Sequence, residues 1–173
     1  MTDWIRSLRI ISGGQTGVDR AALDFALKYG IHCFGWCPKE RKAEDGIIPE
    51  KYPLQETLSA ETQERTKKNV DESDGVLAFI LNKPDRGTIL TLDYAESLNK
   101  PIYVVHLTMN SEDQETGLIN LLETYRITNL NIAGPRESRS PGIYQKTMVF
   151  LEELYTRLNG VAINGESQPH REN

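Results

Sequence analysis

The chain has 173 residues, of which 38% are hydrophobic and 26% are charged, and its net charge at pH 7 is −5. This length suits one domain with a sizeable core, which we predict to span residues 1–160, followed by a flexible tail at 161–173. The mildly acidic balance argues against a nucleic-acid surface. Neither a signal peptide nor an apolar run long enough to span a bilayer is recognisable, so the sequence predicts a cytoplasmic location.

The first predicted elements are a strand at 9–12, a glycine-rich turn at 12–17 and a helix at 18–28. A strand that enters a helix through such a turn presents bare backbone N–H groups to an anion, and glycine lets the ligand approach the main chain. The pattern matches neither the Walker loop nor the dinucleotide-binding motif, and the next strand carries no acidic residue for a ribose, which argues against NAD. The turn therefore predicts a phosphate-bearing ligand, with an ordinary tight turn as the alternative.

The rest of the chain alternates between strand-like and helix-like periods, without internal repeats. We predict strands at 32–36, 75–81, 102–106 and 130–133, and helices at 61–71, 86–98, 113–125 and from about 141 onward. A polar connection at 38–59 is longer than plain connections are, which is typical of a functional loop or lid. The alternation predicts an α/β fold, a Rossmann-like three-layer sandwich with about five mostly parallel strands.

Right-handed crossovers favour the strand order 2-1-3-4-5, which places the first and third strands side by side. The glycine turn and a second turn, Arg86-Gly87-Thr88, would then meet at the carboxyl edge of the sheet. Ligands of open α/β sheets bind in such a crevice. We therefore expect both turns to face one site.

Six stretches of the sequence resemble the putative molybdenum-carrier family, and the resemblance covers about residues 9–158. They are SGGQTGVDRAALD at 12–24, GWCPKERKAEDG at 35–46, YPLQET at 52–57, RTKKNV at 65–70, SDG at 73–75 and NIAGPRES at 131–138. That family is similar to the wider Rossmann-like group of "lonely guy" phosphoribohydrolases and lysine-decarboxylase-like proteins. The resemblance implies a carrier of the molybdenum cofactor, a phosphorylated pterin that holds molybdenum through a dithiolene.

The candidate ligand contacts lie in the glycine turn, in the loop after the second strand, at the second turn and after the last strand. They are Gly13, Gly14, Gln15, Thr16, Gly17, Arg20, Lys39, Lys42, Glu44, Asp45, Gly87, Thr88 and Arg136.

Each contact has an ordinary structural alternative. The amides of 14–17 would take the phosphate, with hydroxyls from Thr16 and Thr88 and a charged bond from Arg20. Arg20 could instead pair with an acid of its own helix, Asp19 or Asp24. The charged loop after the second strand, Arg41 included, could be simply solvated, and Arg136 with Glu137 could form a surface ion pair. Arg65 and Asn69 could face the crevice or a partner subunit.

One position departs from the hydrolases of the wider group. Their Pro-Gly-Gly-x-Gly-Thr-x-x-Glu element ends in a carboxylate that serves N-glycosidic hydrolysis, whereas this chain has Thr91 there. Threonine cannot act as a carboxylate, which favours a binding protein over an enzyme unless Asp85, Asp93 or Glu44 supplies one. A nucleotide-binding protein or a phosphoribohydrolase-like enzyme is therefore the alternative function.

Metal binding by side chains is not expected. Cys33 and Cys37 lack the spacing and the second pair of a zinc site, so we predict free thiols. His32, His106 and His170 have no companion ligands nearby in the sequence. The tyrosine-bearing helices, with Tyr125, Tyr144 and Tyr155, hint at a homo-oligomer.

Overall fold

A computed structural model describes residues 7–165, with side chains described up to residue 160. The eight strands are β1 Arg9–Ile11, β2 Cys33–Cys37, β3 Lys42–Ala43, β4 Gly46–Ile47, β5 Leu54–Glu56, β6 Gly75–Ile80, β7 Ile102–His106 and β8 Asn129–Ala133. The five helices are α1 Val18–Tyr29, α2 Thr62–Asp71, α3 Arg86–Ser97, α4 Ser111–Tyr125 and α5 Ile143–Gly165. The last helix thus includes 161–165 of the expected tail, and 166–173 lie outside the described residues.

The predicted α/β class is confirmed: helices cover both faces of a six-stranded sheet whose neighbouring strands are all parallel. The predicted strand order is wrong. The observed order is β5-β2-β1-β8-β6-β7, so the last strand lies between β1 and β6 instead of at the edge. Its residues Leu130 and Ile132 are 3% and 1% exposed, which agrees with a central strand paired on both sides. The predicted connection at 38–59 also contains an additional edge strand, β5.

The core is divided by the sheet. On β6, Leu77 and Phe79 point to the face covered by α1, α4 and α5, whereas Val76 points to the face of α2 and α3. All six residues of β6 are buried, as its continuous apolar run predicts.

Two of the three tyrosines that hinted at an oligomer are used within the chain. Tyr155 packs against Tyr29 with ring centroids 4.5 Å apart, and the hydroxyl of Tyr144 donates to Asp24 at 3.0 Å. Tyr125 is 61% exposed. A homo-oligomer stays a prediction.

The long connection after β2 is organised by the guanidinium group of Arg41. It donates hydrogen bonds of 3.0 Å to the carbonyl oxygens of Ile48, Pro49, Tyr52 and Leu54. The planar fork of arginine suits this role, since it can reach several carbonyls at once. Arg41, a member of the charged loop that could have been simply solvated, therefore holds the loop in its folded shape.

The same loop is anchored to the helical layer through Asp24 of α1. Its carboxylate accepts hydrogen bonds from the Tyr52 hydroxyl at 2.7 Å, the Lys51 amine at 3.0 Å and the Tyr144 hydroxyl at 3.0 Å. Burial alone would raise the pKa of Asp24, but these hydrogen bonds outweigh it and hold the pKa below its ordinary value. The loop, α1 and α5 thus meet at one carboxylate.

We expect Arg41→Lys to loosen this loop, because a lysine amine cannot reach all four carbonyls in the plane that the guanidinium uses. The loss of two or three net hydrogen bonds should lower the free energy of unfolding by about 1–3 kcal/mol. Hydrogen exchange should accelerate across 38–57 more than elsewhere. Lys42→Ala, a change at the exposed neighbouring residue, serves as the control; equal exchange in both variants would contradict the assigned role of Arg41.

Candidate functional site

The glycines of the first turn are required by the packing of the protein itself. A Cβ on Gly13 would overlap the guanidinium group of Arg65, and one on Gly17 would lie 2.8 Å from the backbone nitrogen of Glu137. Gly14 and Gly17 also adopt a φ of 77°, which L residues with a side chain rarely adopt. The close approach that the sequence suggested for a ligand is made here by other parts of the chain.

Several backbone amides in and after this turn donate hydrogen bonds to acceptors of the protein itself. The amide of Gln15 donates to Asp19 Oδ2 at 3.3 Å, and the amide of Thr16 donates to the side-chain oxygen of Gln15 at 3.1 Å. The amide of Val18 donates to the carbonyl of Pro135 at 3.3 Å. Within 14–17, the amides of Gln15 and Thr16 thus have protein acceptors, which differs from the fully bare cradle expected there.

A buried ion pair joins α1 to α2 beside the turn. Arg65 Nη1 donates to Asp19 Oδ2 at 2.8 Å, with the two side chains 15% and 6% exposed. Burial raises the pKa of Asp19 more than Arg65 lowers it, and the charge of Asp85 raises it further. The Nε atom of Arg65 is buried and has no hydrogen-bond acceptor among the described residues.

A small polar cavity, which we call the recess, lies at the carboxyl edge of β8. Its volume is about 40 Å³, and its lining includes Gln15, Asp19, Arg65, Thr88, Thr91 and Gly134. Residues from both predicted turns therefore border one cavity, although β8 separates β1 from β6 in the sheet.

The recess adjoins a larger cavity of about 930 Å³, which we call the basic cleft because Lys83, Arg86, Arg136 and Arg139 line it. Asp85, Gly87 and Arg136 border both cavities.

Three of the four basic residues of the basic cleft are free of salt bridges. Among the described residues, only Arg136 is paired, with its Nη1 atom 3.7 Å from Glu44 Oε2. Asp85 is the acidic residue of the lining. The cleft therefore carries unneutralised positive charge in a chain whose net charge is −5.

The donors of Thr88 at the start of α3 are occupied by the helix cap. Asp85 precedes the helix, and its Oδ1 accepts hydrogen bonds from the amide of Thr88 at 2.8 Å and from the Thr88 hydroxyl at 2.7 Å. Thr88 is thus at the recess, as expected, but both of its donors are taken.

Arg20 is occupied by protein groups. Its guanidinium donates to the carbonyl of Gly14 at 3.1 and 3.2 Å and pairs with Asp45 at 3.1 Å. Neither of the alternatives in its own helix, Asp19 or Asp24, is its partner. Arg20 and Asp45 instead hold the β3–β4 hairpin against the turn.

Glu44, beside Asp45 in the hairpin, fastens it to the segment after β8. Its carboxylate accepts hydrogen bonds from the Thr16 hydroxyl and from the Ser138 amide, the latter at 3.2 Å. Burial raises the pKa of Glu44, but these bonds and the hydroxyl of Ser138 outweigh that effect and lower the pKa. Lys39 and Lys42 have exposed side chains and belong to the lining of neither cavity.

Of the three carboxylates that the sequence offered in place of a glutamate at position 91, one borders the recess and two do not. The carboxylate of Glu44 is occupied by its hydrogen bonds in the β3–β4 hairpin, and Asp93 is exposed on α3. Asp85 borders the recess as considered, together with Asp19, which sequence reasoning treated only as a helix partner. A signal for Asp19 was its place in the first turn of α1, two residues after the glycine turn.

The described residues contain no group of three or more His, Cys, Asp or Glu side chains suited to a metal ion. Cys33 and Cys37 are buried free thiols, and burial raises the pKa of both. His170 lies outside the described residues. Within 7–165, no helix combines the length and the hydropathy needed to cross a bilayer.

Comparison with known proteins identifies the family of the chain. The model of the circularly permutated YpsA SLOG family matches residues 10–155. The chain belongs to this family. A crystal structure of a protein named "putative molybdenum carrier protein", from Syntrophus aciditrophicus SB, shares 46% sequence identity with a TM-score of 0.82, and the match covers 84% of this chain and 93% of the other. No curated protein matches the chain significantly.

The packing of Gly17 predicts that substitution there damages the fold. We expect Gly17→Ala to lower the free energy of unfolding by at least about 2 kcal/mol, because the new Cβ adds a clash with the 135–137 backbone to the strain of positive φ. Gly30→Ala is the matched control: its φ is 66°, but a Cβ there meets nothing within 4 Å, so about 1 kcal/mol is expected. Equal destabilisation in chemical denaturation would show that the contact with 135–137 is unimportant.

Proposed function

We propose that this protein binds a small phosphorylated ligand in the basic cleft and acts as a binding or carrier protein. The observation that carries the proposal is the convergence of Lys83, Arg86 and Arg139, none of which has a salt bridge among the described residues. Arginine forks bind phosphate oxygens with charge-assisted hydrogen bonds. The volume of about 930 Å³ lies within the usual range of small-molecule sites.

The ligand that we propose is the molybdenum cofactor or a related phosphorylated pterin. The name of the similar Syntrophus protein supports this choice. The residues also fit such a group: the basic cleft offers cations for the phosphate, and the adjoining recess offers polar groups for a heterocycle. When bound, the dithiolene would supply its own sulfur ligands to molybdenum, so the protein need not provide a metal cluster.

In this proposal the phosphate lies at Arg86, Arg136 and Arg139, next to Gly87, instead of on the amides of 14–17. The glycine turn then has an indirect role: Gln15 forms part of the recess wall, while Thr16, Arg20, Glu44 and Asp45 hold the hairpin in place. Lys39 and Lys42 are at most outer contacts.

Ligand identity can be tested on protein purified without added cofactor. We expect denaturation to release a phosphate-bearing pterin, identified by mass, together with molybdenum measured by elemental analysis. Release of a nucleotide without molybdenum would favour the nucleotide-binding alternative. A released molecule without phosphorus would contradict the phosphate site.

Charge reversal in the basic cleft tests the position of the phosphate. Arg139→Glu should weaken binding of AMP, used as a simple phosphorylated probe, about 10–100-fold in calorimetry, since a charge-assisted contact is replaced by repulsion. The effect should shrink as ionic strength rises.

Two further variants with the same change of charge locate the effect. Lys146→Glu, at an exposed residue of α5 that lines neither cavity, should bind AMP as the unmodified chain does. Lys42→Glu tests the loop lysines. If Lys42→Glu weakened binding more than Arg139→Glu, the phosphate would be placed in the loop and not in the basic cleft.

A second candidate function is hydrolysis of a nucleoside monophosphate, favoured by one observation: Asp19, a buried carboxyl with a raised pKa, borders the same recess as Thr91. We nevertheless expect no free base when the purified protein is incubated with AMP, although AMP should raise the melting temperature. Loss of a catalytic acid or base costs about 10²–10⁴ in rate. Base release that Asp19→Asn abolishes would replace the carrier proposal with an enzyme.

A further inference from the structure

Two residues of the recess lining, Asp19 and Arg65, carry an acceptor atom and a donor atom without a described partner. Both hydrogen bonds that Asp19 accepts within the described part of the chain end on its Oδ2 atom, which leaves Oδ1 available. On the partner side, Arg65 uses Nη1 for Asp19, and its buried Nε has no acceptor among residues 7–165. A buried donor without a partner costs free energy, so a group that supplies an acceptor at this point is favoured.

The hydroxyl groups of Thr88 and Thr91, which also line the recess, cannot donate a hydrogen bond to a ligand in place of Arg65. Thr88 donates its hydroxyl hydrogen to Asp85 at 2.7 Å, and Thr91 donates to the carbonyl of Gly87 at 3.0 Å. Each hydroxyl oxygen can still accept, but its proton is committed. Asp19 Oδ1 and Arg65 Nε, in contrast, take part in none of the hydrogen bonds described for the recess.

The size of the recess limits what can enter. A volume of about 40 Å³ admits roughly one water molecule or the two outer atoms of a ring edge, but not a whole ring. Since Asp85, Gly87 and Arg136 border both cavities, a ligand held by its phosphate in the basic cleft can present another part of itself to the recess.

We propose that the recess recognises the lactam edge of a nitrogen heterocycle, whose carbonyl oxygen accepts from Arg65 Nε while the neighbouring ring N–H donates to Asp19 Oδ1. This inference rests on the proposed binding of a phosphorylated ligand in the basic cleft. Pterin, guanine and hypoxanthine rings share this edge. The carboxyl of Asp19 has a raised pKa because burial outweighs its present partners, so an additional donor would stabilise its ionised form.

Two nucleotides that differ at this edge test the proposal. Inosine 5′-monophosphate carries the carbonyl and the ring N–H, whereas purine riboside 5′-monophosphate lacks both and keeps the same sugar and phosphate. Calorimetry with the full chain should show at least about tenfold tighter binding of inosine monophosphate, because the analogue leaves the polar atoms of the recess unpaired. Ribose 5-phosphate, measured alongside, reports phosphate binding alone.

Arg65→Lys tests the residue assignment, because it keeps a positive charge near Asp19 but removes Nε. We expect the preference for inosine monophosphate to fall below about twofold in this variant. The control is Arg157→Lys, which changes another arginine paired with a carboxylate, Glu115, outside both cavities. It should keep the tenfold preference. Because the readout is a ratio of two affinities, a general weakening of binding in either variant does not mimic the result.

The outcomes separate the two proposals. Equal affinity of the chain for the two nucleotides and for ribose 5-phosphate would overturn the lactam site, leave phosphate binding in the basic cleft intact and assign the recess to a water molecule. A preference that survives Arg65→Lys would also overturn it. If none of the three compounds binds, the proposed function fails, and the lactam site fails with it.

Discussion

The geometry of the recess depends on the hydrogen bonds that the carboxylate of Asp19 accepts. It accepts one hydrogen bond from the turn, through the amide of Gln15, and one from Arg65 on a different helix. Removing one partner of so buried a pair leaves an uncompensated charge, which typically costs about 3–5 kcal/mol. The same pair explains Gly13, since the guanidinium of Arg65 occupies the space where a Cβ would lie. The turn, the ion pair and the recess therefore form one unit.

The fold could be predicted from the sequence wherever the signal was local. The predicted strand at 75–81 and the predicted helix at 18–28 match β6 and α1, and Gly30 after α1 adopts the left-handed conformation that glycine favours at a helix end. Strand order depends on which distant segments pair, and the sequence carries no comparable local signal for that. The predicted order 2-1-3-4-5, in which later strands lie successively closer to the sheet edge, is wrong because β8, the last strand, lies between β1 and β6.

The sequence predicted that the two turns meet at one edge, but not which groups pack against the first turn. Both turns border the recess, because parallel strands bring their carboxyl ends to one edge whatever their order. A glycine pattern, however, says only that something approaches the backbone closely. Here the approaching groups come from residues 65 and 135–137, far away in sequence, so no local reading could distinguish them from a ligand. The sequence does not separate ligand-binding cations from solvated ones either. Lys83, Arg86 and Arg139 are exposed, and exposed charged side chains are usually solvated.

The arginines around the site divide into those that hold the fold and those that line the basic cleft. Arg20 is neutralised by Asp45, Arg65 by Asp19, and Arg41 is enclosed by four carbonyl dipoles. These three stabilise the turn and the loop around the crevice, and their charges are compensated where they lie. Arg86 at the start of α3 and Arg139 after β8 have no salt bridge among the described residues, and they lie on segments next to this turn and loop. An anion that enters the basic cleft therefore meets donors whose supporting elements are already organised, which reduces the entropy cost of binding.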